Sequence, residues 1–273
     1  MKRIVSWRLA VSAMLLLLGL APFGCATGTT PGDPYESFNR TMFGFNTAVD
    51  KHLGKPLADA YTAVVPEPAR TALGNAFDNL GYGNVIVNDI LQGKFFQGLQ
   101  DLTRMAINST LGIGGLFDVA TGLGLPAHDE DFGQTLAVWG FEPGAYLVLP
   151  LLGPTTVRDS PGYAVQAVTN PLFYVDEAAA TIPVGVVNGI DVRARHDDDI
   201  RRMNESATDR YIFMRDAYLQ HRLFLIYDGS PPIPDEDDLL PPEPDTIDAP
   251  APSPSDAQDN DDGGSDESDP DDS

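Results

Sequence analysis

From Asp228 to the C-terminus the chain carries 17 acidic residues and neither a Lys nor an Arg. That stretch sets the first limit on what can fold. Residues 230–273 are rich in Pro, Asp, Ser and Gly, with little that is apolar after Leu240. They cannot bury enough surface to offset the entropy of ordering a chain, so the sequence predicts a disordered, self-repelling acidic tail. Asp259 to Gly264 has neither the glycine placement nor the closing Glu of an EF-hand loop. The formal net charge of −23 is therefore mostly tail, because residues 1–227 hold 23 acids against 17 bases. No basic stripe of the kind that binds phosphate backbones is present, which argues against a nucleic-acid partner.

The other end is equally distinctive. Lys2, Arg3 and Arg8 precede an apolar run from Leu9 to Leu20, and the small Gly24 stands just before Cys25. Residues 1–24 read as a secretory signal, too short for a spanning helix, which needs about 20 apolar residues. Cys25 is the only cysteine, so it can form no internal disulfide. Phe23-Gly24-Cys25 resembles the lipobox of bacterial lipoproteins, in which the cysteine becomes an acylated N-terminus; Pro22 stands where that pattern prefers Leu. The other reading is cleavage after Ala26, which discards the cysteine. In the lipoprotein reading, residues 25–32 are a linker behind lipidated Cys25. Each buried methylene is worth about 0.8 kcal/mol, so two or more acyl chains hold a protein at a bilayer where one does not. Ala26 in place of Asp after the cysteine points to the outer membrane.

Residues 33–229 are long enough for one domain with a core of its own. Asp33-Pro34-Tyr35-Glu36 predicts a helix capped by Asp33, with Pro34 at its first position and Glu36 completing a capping box. Tyr35, Phe38, Met42, Phe45 and Val49 then recur in steps of three and four as one apolar stripe. The stripe is either packed into a core or turned to a membrane or lipid groove. Helical spacing resumes at Ala69 after the Val65–Pro68 break and runs to Leu80; Asn84–Leu91, and then Phe95, Leu99, Leu102 and Ala106, predict two further helices separated at Gly93. Asn108 to Pro126 is rich in glycine and apolar residues, with Asp118 its only charge, and predicts a tight hairpin or an apolar element set into lipid. Leu147 to Asp159 predicts an extended segment ending in a turn, with Arg158-Asp159 a charge pair fixing that turn. Ile182, Val186 and Ile190 predict another helix, and Ser206-Ala-Thr-Asp209 a capping box before Tyr211, Met214 and Tyr218.

Common catalytic spacings are missing: there is no GxxxxGK[ST], HExxH, GxSxG or dinucleotide fingerprint, and the chain reads as a non-enzyme without a cofactor. His128-Asp-Glu-Asp131 and His196-Asp-Asp-Asp199 read as acidic helix starts rather than metal sites. Seven arginines fall between Arg193 and Arg222; guanidinium groups suit phosphate, but interleaved acids at helix-pair spacing suit ion pairing equally.

Six segments, in order, carry a resemblance: DPYESFNRTMFGFN, VVPEPARTALGNAFDNL, VNDILQGKFFQGLQDLTRMAINSTLGIGGLFDVA, HDEDFGQTLAVWG, LVLPLLGPTTVRDSPG and SATDRYIFMRDAYLQHR. Together they resemble the MlaA (VacJ) family of outer-membrane phospholipid-transport lipoproteins, from about Asp33 to Tyr227. The resemblance implies a mainly α, ring-like, multi-helix single domain with a glycine-rich apolar hairpin segment, lipid-anchored on the periplasmic side of a Gram-negative outer membrane. It implies association with trimeric porins and an amphipathic channel through which misplaced outer-leaflet phospholipids pass to a soluble periplasmic carrier. On that reading Tyr35, Phe38, Met42, Phe45, Val49, Leu111, Ile113, Leu116 and Phe117 are candidates for lipid contact or gating. Arg193, Arg195 and Arg215 are candidates for head-group contact, and Cys25 for lipidation. Competing readings are a structural lipoprotein that scaffolds porins without passing lipid, and a lipid hydrolase.

Overall fold

The computed structural model describes residues 33–232. The leader, Cys25 with its linker, and nearly all of the acidic tail lie outside the described residues.

Helix α1 (Glu36–Val49) runs through a π-helical turn (Asp50–Gly54) straight into α2 (Lys55–Val64). Its start differs from the expected cap. The Asp33 side chain is buried and accepts from Asn39 Nδ2 at 2.9 Å and from the Tyr211 hydroxyl, so only its backbone carbonyl serves the first turn, accepting from Glu36 N–H. Val65, extended because proline follows it, separates α2 from α3 (Glu67–Gln92), whose first turn holds Pro68. The two helices expected on either side of Asn84 are this one helix. Gly93, left-handed at φ 79°, ends it, and α4 (Phe95–Thr110) turns back along it.

After the glycine-rich segment come a short α5 (Val119–Gly122) and α6 (Phe132–Val138), each capped by an aspartate side chain, Asp118 and Asp131. Strands β1 (Tyr146–Leu149) and β2 (Gly153–Thr156) form an antiparallel hairpin with Tyr146 opposite Thr156. Helix α7 (Gly162–Thr169), a 3₁₀ turn (Pro171–Tyr174), α8 (Ala178–Arg195), α9 (Asp197–Ser206) and α10 (Arg210–Ile226) complete the fold. The expected Ser206 capping box does not form. Ser206 ends α9, and Asp209 caps α10 by accepting from Tyr211 and Ile212 N–H.

Contacts between elements close a circuit: α1 packs on β1, α2 on α8, α8 on α3, α3 on α6, α6 on α10, and α10 on β2. The join between α1 and the hairpin is made by two asparagines. Asn39 donates to Tyr146 O and accepts from Val148 N, both at 2.9 Å; Asn46, two turns on, does the same for Leu149 O and Leu151 N at 2.9 and 2.8 Å. Their amides stand in for a third strand and satisfy the free edge of β1. Beside them lies a small apolar cluster of Tyr146, Val148 and Tyr211, with Met42 and Phe43 from α1 packed against it. Phe43 meets Tyr211 edge-on at 5.9 Å.

Elsewhere the polarity is inverted. Among the described residues, the largest wholly buried side chains include two hydrophobic ones, Tyr146 and Val148; the others include Asn39, Asn88, Asp89, Asp101, Gln134 and Asp191. Large apolar side chains instead lie outside, Phe95 at 69% and Phe96 at 77% exposure among them. On α4 the apolar series Phe95, Leu99 and Leu102 faces out, while the polar series Asp101, Arg104 and Asn108 faces in.

Two substitutions on α1 test this arrangement. Phe45 is 46% exposed, so Phe45→Ala should change urea-unfolding stability by less than about 1 kcal/mol. Asn39→Ala strands a buried donor and acceptor of β1 and should cost about 1–3 kcal/mol for each group left unpaired, the reverse of the order expected for an apolar core.

Candidate functional site

The glycine-rich segment is a run of turns from Leu111 to Phe117, held at its base and bare at its tip. Leu111, Ile113 and Phe117 are 67%, 64% and 56% exposed, and Leu116 is half-buried. Its base is tied to α4. Arg104 donates to Asp118 Oδ2, Thr121 Oγ1 and Leu125 O at 2.5, 2.8 and 2.7 Å, and Asn108 bridges Asp118 Oδ1 and Ala120 N at 3.0 and 2.9 Å. Burial raises the Asp118 carboxyl, but bonds from Thr121, Asn108 and Arg104 outweigh it and lower the carboxyl to about 2. Helix α3 supplies further ties, Asn79 to Ser109 Oγ at 2.9 Å and Asn75 to Leu116 O at 3.3 Å. Gly115 passes so close that a Cβ there would stand 2.6 Å from the Cβ of Asn79. Ile113 has φ 54°, a left-handed conformation that a β-branched residue adopts only at a cost of about 1–3 kcal/mol. An exposed apolar tip, a strained residue and a rigid polar base therefore occupy one short loop.

The α1 stripe divides. Tyr35, Met42 and Val49 are partly buried, with Met42 against the tyrosine cluster, whereas Phe38 and Phe45 are 44% and 46% exposed and face away from it. Phe43, outside the predicted stripe, is the aromatic that packs inward.

Each head-group candidate is already engaged by carboxylates. Arg193 joins Asp50 and Asp197, Arg195 joins Asp78 and Asp191, and Arg215 joins Asp216 with Asp33 3.8 Å away. Arg195 still lines an open cleft of about 260 Å³ with Arg70, Glu67, Thr71, Asn75 and Asp78. That volume lies below the roughly 300–1,000 Å³ usual for ligand sites.

A second polar centre is not evident from spacing. Arg222, on α10, donates through both terminal nitrogens to Asp131, the cap of α6, and its Nε lies 3.2 Å from Asp159. Asp159 also accepts from Arg158 Nε and the Tyr218 hydroxyl, both at 2.9 Å. Burial pushes the Asp159 carboxyl up, yet Arg158 and Arg222 hold it below the usual carboxylate range; burial lowers Arg222, and Asp131 and Asp159 more than restore it. Asp131, Asp159, Tyr218 and Arg222 line a cleft of about 140 Å³ with Thr155, Tyr163 and Gln166. Asp159 thus does more than fix its own turn with Arg158: it links the hairpin to α10. The available signal is Gly133, where a Cβ would collide with Asp159 Oδ1 and lie 2.7 Å from Arg222 Nη2.

Among the described residues, no helix is long and apolar enough to cross a membrane, and no group of three or more His, Cys, Asp or Glu side chains is arranged to hold a metal ion.

Comparisons with known proteins follow the same boundaries. The model of the MlaA lipoprotein family matches residues 31–225. The intermembrane phospholipid transport system lipoprotein MlaA of Escherichia coli (strain K12) is 37% identical over 236 residues, covering 82% of this chain and 91% of that protein. The protein of that name from Haemophilus influenzae is 31% identical over 226 residues, covering 79% and 90%. A solved structure, described as the structural basis for maintenance of bacterial outer membrane lipid asymmetry, is similar at a TM-score of 0.63 and 35% identity, covering 71% of this chain and 98% of its own.

Gly133→Ala should force Asp159 and Arg222 apart and cost about 1–3 kcal/mol. Arg222→Met removes the ion partner of Asp131 and one of the two held by Asp159, with Arg158 remaining, and should cost about 3 kcal/mol, the low end for a broken buried pair. Because the folded Asp159 carboxyl is lowered, its contribution is present above the unfolded value near pH 4 and lost as pH falls through the lower folded value. Denaturant titrations from pH 7 to pH 2 should show that acid loss in the wild type and a shallower one in Arg222→Met.

Proposed function

Since the chain belongs to the MlaA lipoprotein family, we propose that it is a lipid-anchored outer-membrane protein on the periplasmic side, removing phospholipid misplaced in the outer leaflet and passing it to a soluble periplasmic carrier. The observation that carries this reading is the inverted polarity. Apolar side chains on the outside suit a body immersed in acyl chains, and charged side chains paired on the inside suit an environment where every polar group must find a protein partner. A phospholipid meets the same difficulty from the other direction. Its charged head cannot enter hydrocarbon cheaply, so a polar path for the head, open to lipid for the tails, removes most of the barrier. Such a path needs no closed pocket of phospholipid size, which fits the modest volumes of the two clefts. It also needs no nucleotide: the protein speeds a downhill movement, and direction comes from unequal lipid composition or from partners.

Leu111, Ile113 and Phe117 at the tip of the turn run are the groups we assign to lipid contact or gating, with Leu116 behind them and Phe38 and Phe45 as further lipid contacts. Tyr35, Met42 and Val49 support the stripe from its inner side. Arg195, with Arg70 across its cleft, is the best placed of the head-group candidates, since Arg193 and Arg215 are more fully enclosed by their ion pairs. Acylated Cys25 lies eight residues before Asp33, so the anchor reaches at most about 28 Å from that buried residue. Trimeric porins are the proposed neighbours in the membrane.

The test is mass spectrometry of protein purified from membranes, followed by transfer of labelled phospholipid to acceptor vesicles. Acylation at Cys25 and co-purified phospholipid are expected, and Ile113→Gly, which relaxes the left-handed position, should keep the fold while changing the transfer rate. Acylated protein that binds porin and neither carries nor transfers lipid would establish scaffolding instead. Lysophospholipid or free fatty acid appearing with the purified protein would establish hydrolysis.

A further inference from the structure

Where α4 doubles back on α3, Gly98 allows close approach: a Cβ there would lie 3.1 Å from the Cβ of Asp89. The contact brings Asp89 of α3 and Asp101 of α4 together in the interior, both with no exposed surface and within hydrogen-bonding reach of each other. Each carboxyl has one oxygen served. Asp89 Oδ1 accepts from Gln97 Nε2 at 2.9 Å, and Asp101 Oδ2 lies 2.9 Å from His128 Nδ1. The remaining two, Asp89 Oδ2 and Asp101 Oδ1, are buried and have no donor. Two anionic oxygens cannot satisfy each other, whereas a carboxylic acid and a carboxylate can, with one proton between them.

We propose that Asp89 and Asp101 form a single-proton site that holds α4 against α3, and that losing this proton loosens the helix pair. The surrounding charges leave the proton as the missing cation. Glu130, from the segment before α6, also faces the pair, but its carboxylate accepts from Lys94, Gln92 and Gln97 at 2.8, 2.7 and 2.8 Å. Lys94 is shared further with Asp228, beyond α10. Arg104, one turn along α4 from Asp101, is spent on Asp118 and the base of the glycine-rich loop, and lies over the ring of Tyr82 at 5.7 Å. Two titratable groups remain nearby: His128, whose Nδ1 lies 2.9 Å from Asp101 Oδ2, and Tyr82 of α3, whose buried hydroxyl is pushed up to about 12, chiefly by burial, and so keeps its proton across the range tested. Burial, then the bond to Asp101 and the charges of Asp101 and Glu130, raise the Asp89 carboxyl to about 7 against the pull of Gln97. The folded value is raised, so the contribution to stability is complete below pH 4, falls as pH climbs from 4 to 7, and is gone above. Nothing in this site depends on lipid passage. Its consequence reaches the loop all the same, because the face of α4 that bears Asp101 also bears Arg104 and Asn108, which hold the loop's base.

The full chain in detergent tests the proposal. Urea midpoints should fall between pH 5 and pH 8 in the wild type, and Asp89→Asn, which mimics the protonated acid, should flatten that fall and match or exceed wild type at pH 8. Amide exchange in α4, corrected for its intrinsic pH dependence, should quicken at pH 8 in the wild type and not in Asp89→Asn. If Asp89→Asn keeps the wild-type slope, or if His128→Gln alone abolishes it, the shared proton is refuted. Should Asp89→Asn not fold, infrared spectra of the wild type decide: a protonated carboxylic acid band at pH 6 that disappears by pH 9 supports the site, and its absence at pH 6 overturns it.

Discussion

Burying a charged or amide side chain is costly unless its polar atoms are paired, and pairing across distant segments is what organises this interior, with Asp89 Oδ2 and Asp101 Oδ1 among the exceptions. Asn39 and Asn46 complete the edge of the hairpin; Arg104 gathers the base of the glycine-rich loop; Arg222 joins α6, the hairpin and α10. Each of these groups links segments far apart in sequence, so the polar contacts define the closed circuit of elements as firmly as an apolar core does in other proteins. They are also directional, which an apolar contact is not. Displacing one partner leaves a donor or acceptor stranded rather than merely repacked.

The apolar exterior is the other half of the same arrangement. In water, Phe95, Phe96, Leu111 and Ile113 would be a liability, since contiguous exposed apolar surface drives association. Against acyl chains they cost nothing, and the hydrophobic effect no longer opposes turning them outward. Among the described residues no helix is long and apolar enough to cross a membrane. Membership of the MlaA lipoprotein family and the apolar exterior rest on different observations, and both support the proposed function.

On the proposed function, the groups assigned to lipid contact or gating lie in one short loop. Glycines let the chain from Leu111 to Phe117 turn repeatedly, and its close approach to Asn79 leaves no room for a side chain at Gly115. The polar base is hydrogen-bonded to α4 while the apolar tip is exposed, a division suited to the proposed lipid contact. The strained Ile113 stands at that tip, with its conformation imposed by the turns on either side.

Much of the fold is legible in the amino-acid order. Helical periods, the proline breaks, the ends of helices at Gly93 and Asp131, the extended run around Pro150 and the order of family motifs all follow from local stereochemistry, which depends on neighbours in sequence. Which face of each helix turns inward does not. The spacing of Phe95, Leu99 and Leu102 marks a stripe, but only packing shows that the stripe looks out and Asp101, Arg104 and Asn108 look in. Likewise Asp33 reads as a cap until Tyr211, far along the chain, claims its carboxyl. A hydrophobic pattern has no sign of its own: water outside drives apolar residues in, and lipid outside removes that drive. The sequence alone determined the periods, the breaks and the family. Tertiary structure decided the inside from the outside, because that choice rests on hydrogen bonds between residues a hundred positions apart.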